Sequence, residues 1–162
     1  FELLDTNFDH VMVNTSQNFT YELNSVFFDE MKIRKPDYDM KVNTEEYAKE
    51  VADVIVKSEK LLKKEKPDIL LILGDTNSGL SAIPAAYQGI KIAHLEAGMR
   101  SYDPRMPEEK NRVMIDHLST VLLPYTQYSR ENLIRENIHP SKIYVVGNPI
   151  LILGLDYEGR IC

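Results

Sequence analysis

The sequence contains very little cysteine and no long apolar run. Its single cysteine among 162 residues, Cys162, excludes a disulfide within the chain and a metal site built from several cysteines. No apolar run approaches the roughly 20 residues that a membrane-spanning helix needs, and no basic-then-apolar signal pattern is found. We therefore expect no membrane partner, and a cytoplasmic location is the default expectation.

An excess of positive charge is also missing. The 19 lysines and arginines are outnumbered by 25 aspartates and glutamates, which gives a formal net charge of −6. The acidic residues are dispersed along the chain, so no acidic tail is implied. This charge balance argues against nucleic acid as a partner.

Several common cofactor and catalytic motifs are absent from the sequence. It contains neither the Gly-x-Gly-x-x-Gly fingerprint of dinucleotide sites nor the Gly-Lys-Ser/Thr of a P-loop. No serine lies in a Gly-x-Ser-x-Gly elbow, and His117 and His139 lack the spacing of metal ligands. His10 and His94 lie in or beside predicted strands, which favours a structural, hydrogen-bonded role. We predict no metal and no cofactor.

The residues that are present indicate a sheet interleaved with helices. Short apolar segments rich in β-branched residues predict five strands, at 10–14, 68–73, 90–95, 120–123 and 142–146. Helical patterns lie between these strands, at 45–64, from Pro107 onward and at 126–136. Strand–helix alternation predicts an α/β fold with a doubly wound, mostly parallel sheet, and the chain length is that of one domain.

Three carboxylates follow predicted strands or open a predicted helix. Asp75 lies in the stretch GDTNSG, directly after a predicted strand, and Glu96 comes at the end of the next strand. Glu108 lies in the first turn of the helix that Pro107 opens. Ligands of open α/β sheets bind beyond the carboxyl ends of the strands, so these carboxylates could meet in one crevice.

Each of these carboxylates also has an ordinary structural explanation. Asp75 or Thr76 could cap the following helix, Glu96 could pair with Arg100, and Glu108 could pair with Arg112 four residues on. If they converge instead, burial and mutual repulsion would raise their proton affinity, so that one could accept and another donate a proton. The nearby arginines would then hold an anion. The residues alone predict an acid–base site for an anionic small molecule.

Taken in order, the motifs resemble those of the non-hydrolysing UDP-N-acetylglucosamine 2-epimerases. The family pattern is Gly-Asp-Thr, then His-(Val/Leu)-Glu-Ala-Gly-x-Arg, then Pro-Glu-Glu-x-Asn-Arg. It is matched here at residues 74–76, 94–100 and 107–112. The segments 14–38 and 145–149 are also similar to the family, so the resemblance covers about residues 8–149.

The resemblance implies a fold and a reaction. The implied fold is an incomplete, Rossmann-like N-terminal domain, residues 1–162, of a two-domain glycosyltransferase-B-like enzyme. The implied reaction converts UDP-N-acetylglucosamine to UDP-N-acetylmannosamine, or inverts C2 of a close UDP-2-acetamido sugar, by anti elimination of UDP and its re-addition. Such chemistry needs carboxylates on both sides of the sugar ring and no oxidised intermediate.

By motif match, the resemblance also implies roles for individual residues. Asp75, Glu96 and Glu108 become the catalytic residues, with Asp75 and Glu108 expected to transfer protons and Glu96 to orient or partner them. A glutamine near a regulatory UDP-sugar position in bacterial relatives is matched by Gln17. The residues with implied substrate-binding roles are Arg100, Arg112, Gln17 and His94. The expected partners are a UDP-sugar and a second copy of the chain in a homodimer.

The sequence departs from the family pattern at both ends. Nothing matches the family's first strand and its Gly-Thr-Arg-Pro-Glu-like loop, or the second domain that would follow Pro149 and supply most UDP contacts and a catalytic histidine. We therefore expect exposed apolar surface, with association of chains, a rearranged sheet edge or poor solubility as its result, and little or no epimerase activity from the 162 residues alone.

Three alternatives to this function stay open. The first is the hydrolysing relative, which releases N-acetylmannosamine and UDP. The second is a non-catalytic domain that binds a nucleotide sugar and retains the motif. The third concerns the substrate: the stretch RSYDPRMPEE differs in loop length from some relatives, so the sugar could be a 6-deoxy or uronic-acid derivative.

Overall fold

Parallel strands carry the residues of the candidate site. The structure, a computed structural model, describes residues 2–15, 33–43 and 45–149. These residues group into two compact units, 1–57 and 58–162, each taken separately below. All described strand pairs are parallel, which confirms the predicted α/β class.

The first unit contains a short helix and two short strands. Helix α1 (Glu2–Asn7) precedes strand β1 (Val13–Asn14), which pairs with β2 (Tyr38–Asp39). Helix α2 (Tyr47–Glu65) begins in this unit and ends in the second. The strand predicted at 10–14 is therefore confirmed only in its last two residues.

Arg34 holds the main chain just before β1. Its guanidinium donates to the carbonyl oxygen of His10 at 2.7 Å and to the carboxylates of Asp5 and Asp37, both at 2.8 Å. Asp37 in turn accepts from the amide of Met12 at 2.7 Å. Side chains thus satisfy the His10 carbonyl oxygen and the Met12 amide, while the Met12 carbonyl oxygen accepts from the backbone amides of Asp37 (2.8 Å) and Tyr38 (3.3 Å).

The sheet of the second unit has the order β3-β4-β5. Its strands are β3 (Ile69–Leu73), β4 (Lys91–Leu95) and β5 (Val121–Leu123), each within a predicted strand. In the register of the sheet, Leu73 pairs with Leu95, and Leu95 pairs with Leu123. The three strands therefore end at the same level, and the residues that follow them leave the sheet along one edge.

Helices connect these strands. A 3-10 helix (Asn77–Ser81) leads into α3 (Ala82–Tyr87), while α4 (Pro107–Leu118) and α5 (Gln127–Arg135) flank β5 in the chain. Pro107 is the first residue of α4, where a missing amide proton costs nothing. The hydroxyl of Thr126 caps α5 by accepting from the amide of Ser129 at 3.1 Å. Both helix starts are as the sequence predicts.

Two apolar clusters fix the helices of the second unit. Ile92 of β4 is fully buried, as expected of a central strand. It packs with residues of three helices and of β3: Leu62, Ile72, Ala82, Ala85 and Ile115. The second cluster joins the turn after β4, β5, α5 and the segment after α5: Ala97, Leu122, Leu133, Ile138 and Ile143. Full burial of one such aliphatic side chain is worth roughly 1.5–3 kcal/mol.

The strand predicted at 142–146 forms only in part. The amides of Tyr144 and Val146 donate to the carbonyl oxygens of Leu122 (2.9 Å) and Pro124 (3.0 Å), so this segment runs beside β5. A single parallel bridge joins Ile143 to Leu122.

Strand β3 pairs with one neighbour, β4, in the described sheet and therefore lies at its edge. Its alternate residues Ile69, Leu71 and Leu73 are all exposed, and Leu73 is the most exposed at 65%. None of the helices described here is both long and apolar enough to cross a bilayer.

Candidate active site

The turn after β3 brings Asp75 close to Glu96. Gly74 has φ +78°, and a Cβ atom added to it would lie 3.3 Å from Oε2 of Glu96. Glycine therefore allows both a left-handed turn and the close approach of the Glu96 carboxylate. The amide of Gly74 continues the strand pairing by donating to Leu95 at 3.1 Å. The predicted convergence of the first two carboxylates is present.

Helix α4 holds Asp75 by both its side chain and its main chain. The guanidinium of Arg112 forms an ion pair with the Asp75 carboxylate. The amide group of Asn111, a buried side chain, donates at 3.0 Å to the carbonyl oxygen of Asp75 and at 3.0 Å to the side chain of Asn77. Two adjacent residues of one helix thus fix the turn that carries Asp75.

Glu96 lies in an environment that favours its protonated form. Burial, and then the negative charge of Asp75, raise the pKa of Glu96, although Arg112 and His94 oppose the shift. Its backbone has φ +76°, and its amide donates to the carbonyl oxygen of Leu123 at 3.1 Å. A non-glycine residue in this conformation is uncommon and is often found at functional sites. The group can therefore hold a proton at a higher pH than a free glutamic acid.

Tyr125 follows β5 at the same edge of the sheet. Burial, and then the charge of Glu96, raise the pKa of the Tyr125 phenol. The ends of all three strands thus place an ionisable residue near this crevice.

The two neighbouring glutamates of α4 have different surroundings. Glu109 is buried and accepts from the amides of Ser101 and Tyr102, both at 2.9 Å, and from the Ser101 hydroxyl at 3.0 Å. Burial by itself would raise the pKa of Glu109, but these hydrogen bonds and Arg112 lower it. Glu109 is therefore an ionised anchor for the loop before α4.

Glu108 is half-buried, and its carboxylate has no hydrogen-bond partner within the described ranges. Successive helical residues point about 100° apart, so Glu109 is turned to the loop while Glu108 is not. Of the two glutamates, Glu108 is the one whose carboxylate is free to act on a ligand.

Four charged or ionisable side chains form a network behind the turn, in which His94, Arg100 and Asp116 are buried and Glu136 is partly exposed. His94 contacts Oδ1 of Asp116 through Nδ1 at 2.7 Å and the carbonyl oxygen of Gly74 through Nε2 at 2.9 Å. Arg100 pairs with Asp116 at 2.8 Å and with Glu136 at 2.6 Å. Burial disfavours the charge of Arg100, but Glu136 and Asp116 outweigh it and raise the pKa of the guanidinium.

The predicted local ion pairs are not those that form. Arg100 pairs with Asp116 and Glu136 rather than with Glu96. Arg112 pairs with Asp75 and, at 3.2 Å, with Glu109 rather than with Glu108. The expectation that Asp75 or Thr76 caps the next helix also fails: Thr76 makes no side-chain cap, and the Asp75 carboxylate is paired with Arg112.

The structure therefore separates the residues singled out in the sequence. Asp75, Glu96 and Arg112 come together, and Glu108 lies on the same helix one turn before Arg112. His94 and Arg100 have side chains with 0% and 1% exposure, so neither presents a surface to a ligand here. Gln17 lies outside the described residues.

Three residues with clear structural roles were missed in the sequence. Glu109 and Asn111 belong to the matched motif at 107–112, and that membership is the signal that could have found them. Asp116 lies beyond the motif, next to the exposed His117, and resembles an ordinary solvent-facing acid. No group of three or more His, Cys, Asp or Glu side chains in the described part of the chain could hold a metal ion.

Comparison with known proteins gives consistent results. The family model described as UDP-N-acetylglucosamine 2-epimerase matches residues 3–157. The UDP-N-acetylglucosamine 2-epimerase of Methanocaldococcus jannaschii is 40% identical over 147 residues, which are 90% of this chain and 40% of that protein. A UDP-2,3-diacetamido-2,3-dideoxy-D-glucuronate 2-epimerase of Pseudomonas aeruginosa is 36% identical over 141 residues, 85% of this chain and 40% of that protein.

Solved structures agree with the sequence comparison. The Methanocaldococcus jannaschii enzyme in complex with UDP-GlcNAc and UDP superposes with a TM-score of 0.92 at 37% identity, over 96% of this chain and 43% of that one. The UDP-N-acetylglucosamine 2-epimerase of Rickettsia bellii superposes with a TM-score of 0.90 at 43% identity, over 98% of this chain and 43% of that one. The predicted fold, part of a Rossmann-like domain of a glycosyltransferase-B-like protein, is confirmed.

This chain spans about two fifths of the length of the curated relatives that it matches. The match to the family model nevertheless extends over nearly all of it, and it includes Asp75, Glu96 and the first turn of α4. The chain belongs to the UDP-N-acetylglucosamine 2-epimerase family.

Proposed function

We propose that this chain supplies the acid–base carboxylates of a UDP-2-acetamido-sugar 2-epimerase, with UDP-N-acetylglucosamine as the first candidate substrate. The observation that carries the proposal is the approach of Asp75 to Glu96 at the carboxyl edge of the sheet, with the raised pKa of Glu96 that follows. Two comparisons support the proposal: the match to the family model, and the structural similarity to a relative solved in complex with UDP-GlcNAc and UDP.

The reaction needs groups that remove and supply protons at one carbon. A carboxylate takes the proton from C2 of the sugar while the bond from C1 to the UDP oxygen breaks, which leaves a 2-acetamidoglucal and UDP. A second acid then protonates C2 from the opposite face, and the UDP oxygen re-forms the bond to C1. The C2 proton is weakly acidic, so coupling its removal to departure of UDP avoids a carbanion. No electrons are gained or lost overall.

The proposed roles follow the environments of the carboxylates. Asp75 and Glu108 transfer the protons, and Glu96 partners or orients them. The raised pKa of Glu96 is suited to a group that shares or holds a proton beside an ionised neighbour. Arg112 keeps the Asp75 carboxylate in place and supplies positive charge next to it.

His94 and Arg100 receive supporting roles in this proposal instead of the substrate-binding roles predicted from the sequence. Because the side chains of His94 and Arg100 are buried, we propose that both act by supporting the turns that carry Asp75 and Glu96, rather than by touching the substrate. The proposed contact of Gln17 with a second UDP-sugar position concerns a residue outside the described ranges. A homodimer and a cytoplasmic location belong to this proposal as well.

A second candidate substrate is a UDP-2-acetamido uronic acid. A relative from Pseudomonas aeruginosa, 36% identical, is a 2-epimerase of a diacetamido glucuronate. In the loop before α4, Arg105 is an exposed cation, paired with the partly exposed Asp103. Such a cation could instead meet the carboxylate of a uronic acid.

The test uses two proteins. One is the 162-residue chain; the other is a hybrid in which this chain replaces the matching region of the Methanocaldococcus jannaschii relative. Each is incubated with UDP-N-acetylglucosamine in deuterated water and followed by proton NMR. We expect the hybrid to incorporate deuterium at C2 and to give a manno anomeric signal, and we expect little or no turnover from the chain alone.

The control and the alternatives use the same assay. A hybrid with Asp75→Asn should lose turnover while it still binds UDP. Free N-acetylmannosamine would indicate the hydrolysing reaction, and turnover only of a UDP-2-acetamido uronate would favour the second candidate. UDP binding without turnover of either sugar would contradict the enzymatic proposal and favour a binding domain.

A further inference from the structure

The buried contact between His94 and Asp116 links two parts of the candidate site. Neither side chain has exposed surface, and neither belongs to the carboxylate set at the strand ends. His94 lies in β4, while Asp116 lies in the last turns of α4. Ionisable side chains are rarely fully buried unless they are paired with a charged or hydrogen-bonding group, so each of these two side chains depends on its partners.

Each ring nitrogen of His94 faces an oxygen that accepts hydrogen bonds. Nδ1 lies 2.7 Å from Oδ1 of Asp116, and Nε2 lies 2.9 Å from the carbonyl oxygen of Gly74. The carbonyl oxygen cannot donate, so Nε2 carries a proton in this arrangement. Arg100 donates to the other oxygen of Asp116, so both oxygens of this carboxylate are engaged, one by His94 and one by Arg100.

Each charged partner in this network faces a group of suitable chemistry. Arg100 supplies the positive charge opposite the carboxylates of Asp116 and Glu136, and the imidazole of His94 contacts Asp116. His94 is also close enough to Glu96 to influence its carboxylate electrostatically. A buried carboxylate with partners on both oxygens avoids the cost of an unpaired charge.

Asp116 also holds the turn that follows β4. Its Oδ2 accepts from the amide of Gly98 at 3.1 Å and from Arg100 at 2.8 Å. Gly98 has φ +75°, and a Cβ there would lie 2.2 Å from the carbonyl oxygen of Ser129, so this turn is closely packed. One carboxylate on α4 therefore contacts the turn after Glu96 directly and reaches the turn before Asp75 through His94.

We propose that His94 and Asp116 are positioning residues that hold the Gly74–Asp75 turn and the Glu96–Gly98 turn in a fixed relation to α4. The placement of the turns is an inference about this chain by itself; its consequence for catalysis rests on the proposed function. The proton on Nε2 fixes the carbonyl oxygen of Gly74, and the carboxylate of Asp116 fixes the ring and the amide of Gly98. Neither residue touches the substrate.

The first experiment measures the chain directly, without activity. Nitrogen-15 NMR of the 162-residue protein should find Nε2 of His94 protonated and its proton protected from exchange with solvent. In Asp116→Asn that protection should be reduced. The amide resonances of Gly74, Asp75 and Gly98 should shift, with hydrogen exchange at least about tenfold faster.

The matched control is His117→Gln at the next position of α4. His117 is exposed, and among the described residues its ring hydrogen-bonds only to the carbonyl oxygen of Val113 in its own helix, so the turn amides should stay unchanged. A His94 whose Nε2 lacks a proton, or whose Nε2 proton exchanges freely with solvent in the unaltered chain, would overturn the proposal. Unchanged turn amides in a folded Asp116→Asn protein would overturn it as well.

Folding of the variants is checked by thermal unfolding. If Asp116→Asn does not fold, His94→Gln carries the same test, because a glutamine amide can donate to one of the two oxygens and cannot serve both as the ring does. We expect its turn amides to exchange faster than those of the unaltered chain. Turn amides that stay as protected as before would again overturn the proposal.

The second experiment tests the consequence for catalysis in the hybrid protein. Asp116→Asn should lower kcat by about tenfold or more while KM changes less than about threefold. The substitution disturbs the arrangement of the catalytic carboxylates but removes no contact with the substrate. Asp116→Glu should recover part of kcat. An inactive unaltered hybrid would count against the proposed function alone, because the NMR result for the turns would still stand. An active hybrid with unchanged kcat in the variant would show that the network serves only the fold.

Discussion

Arg112 forms an ion pair with Asp75 and a second one, at 3.2 Å, with Glu109 of its own helix. The side chains of Arg112 and Glu109 are 12% and 11% exposed, so their pair is shielded from water, whereas the Asp75 side chain is 26% exposed. Asp75 is expected to exchange protons with a sugar, whereas Glu109 anchors the loop that precedes the helix. One guanidinium therefore ties a candidate catalytic carboxylate to a structural one.

Replacing Arg112 by lysine should weaken both functions of this residue. A lysine ammonium has no planar fork and cannot reach two carboxylates in the same geometry. We expect the free energy of unfolding to fall by about 2 kcal/mol in urea denaturation. Turnover by the hybrid should fall at least about tenfold as Asp75 becomes misplaced.

The control for this change is Arg135→Lys. Arg135 pairs with Glu131 at 3.5 Å on the open surface of α5, where both side chains are well exposed. Exposed pairs contribute at most about 1 kcal/mol, so this substitution should change stability little. Equal effects of the two substitutions would contradict the role assigned to Arg112.

The adjacent residues Glu108 and Glu109 should respond in opposite ways. Glu109→Gln removes the charge that accepts from Ser101 and Tyr102, so the protein should be less stable at neutral pH. Glu108→Gln should leave stability unchanged and abolish most turnover of the hybrid. Each variant is the control for the other, measured by urea denaturation and by the NMR assay.

The effect of Glu109 on stability should depend on pH in a defined direction. The folded-state pKa of Glu109 is lowered below its ordinary value, so its contribution is complete above the pKa of the unfolded chain. It is lost as the pH falls through the folded-state pKa. The stability difference between the unaltered chain and Glu109→Gln should therefore shrink in acid. A difference that stays constant from neutral pH into strong acid would contradict the assignment.

The effect of Glu96 on stability should change with pH in the opposite direction to that of Glu109. Burial, and then repulsion by Asp75, raise its folded-state pKa, so the folded protein holds this proton more tightly than the unfolded chain does. The stability that this proton provides is present below the unfolded pKa and is lost as the pH rises through the folded one. We therefore expect Glu96→Gln to be more stable than the unaltered chain at neutral pH and to lose that advantage in acid.

Thermal unfolding across a pH series measures this linkage, and Asp68→Asn is a suitable comparison. Asp68 precedes β3 at the opposite end of the strand from the candidate site. Its substitution should give no comparable gain at neutral pH. A destabilised Glu96→Gln at neutral pH would mean that hydrogen bonds to the ionised group outweigh burial and repulsion.

The convergence of Asp75 and Glu96 could be predicted from the sequence because strand order leaves little freedom. Each residue follows a buried apolar strand, and parallel neighbours present their carboxyl ends at one edge. The register, with Leu73 opposite Leu95, then places the two turns side by side. Helix starts at Pro107 and Thr126 could be predicted for a similar reason, since both depend on local backbone chemistry.

The partners of Arg100 and Arg112 could not be predicted from local spacing. The i,i+4 rule holds for helices, but residues 96–106 turn at Gly98 and are not helical, so Arg100 points away from Glu96. Arg112 is helical, yet its partner Asp75 is 37 residues away along the chain. Asp116 was missed for the same reason: its contacts come from β4 and the turn after it, which only the folded chain brings together.

Comparing two glycines separates two effects on stability: the contact of Gly74 with Glu96 and the strain of the left-handed backbone. Gly74 and Gly89 have nearly the same conformation, with φ of +78° and +72°. A Cβ atom at Gly89 would meet nothing within 4 Å, whereas at Gly74 it would lie 3.3 Å from the Glu96 carboxylate. Substitution by alanine costs about 1–2 kcal/mol at either position from the left-handed backbone alone.

We therefore expect Gly74→Ala to cost slightly more stability than Gly89→Ala and to change the pH dependence of stability, because the Glu96 carboxylate must shift by a few tenths of an ångström to admit the methyl group. Gly89→Ala should lower stability by the backbone cost and leave the pH dependence as it was. Combining Gly74→Ala with Glu96→Ala should remove the excess, since the carboxylate is then absent. If Gly74→Ala and Gly89→Ala behave alike in urea and across the pH series, the carboxylate does not lie against the turn, and the pairing of Asp75 with Glu96 loses its geometric support.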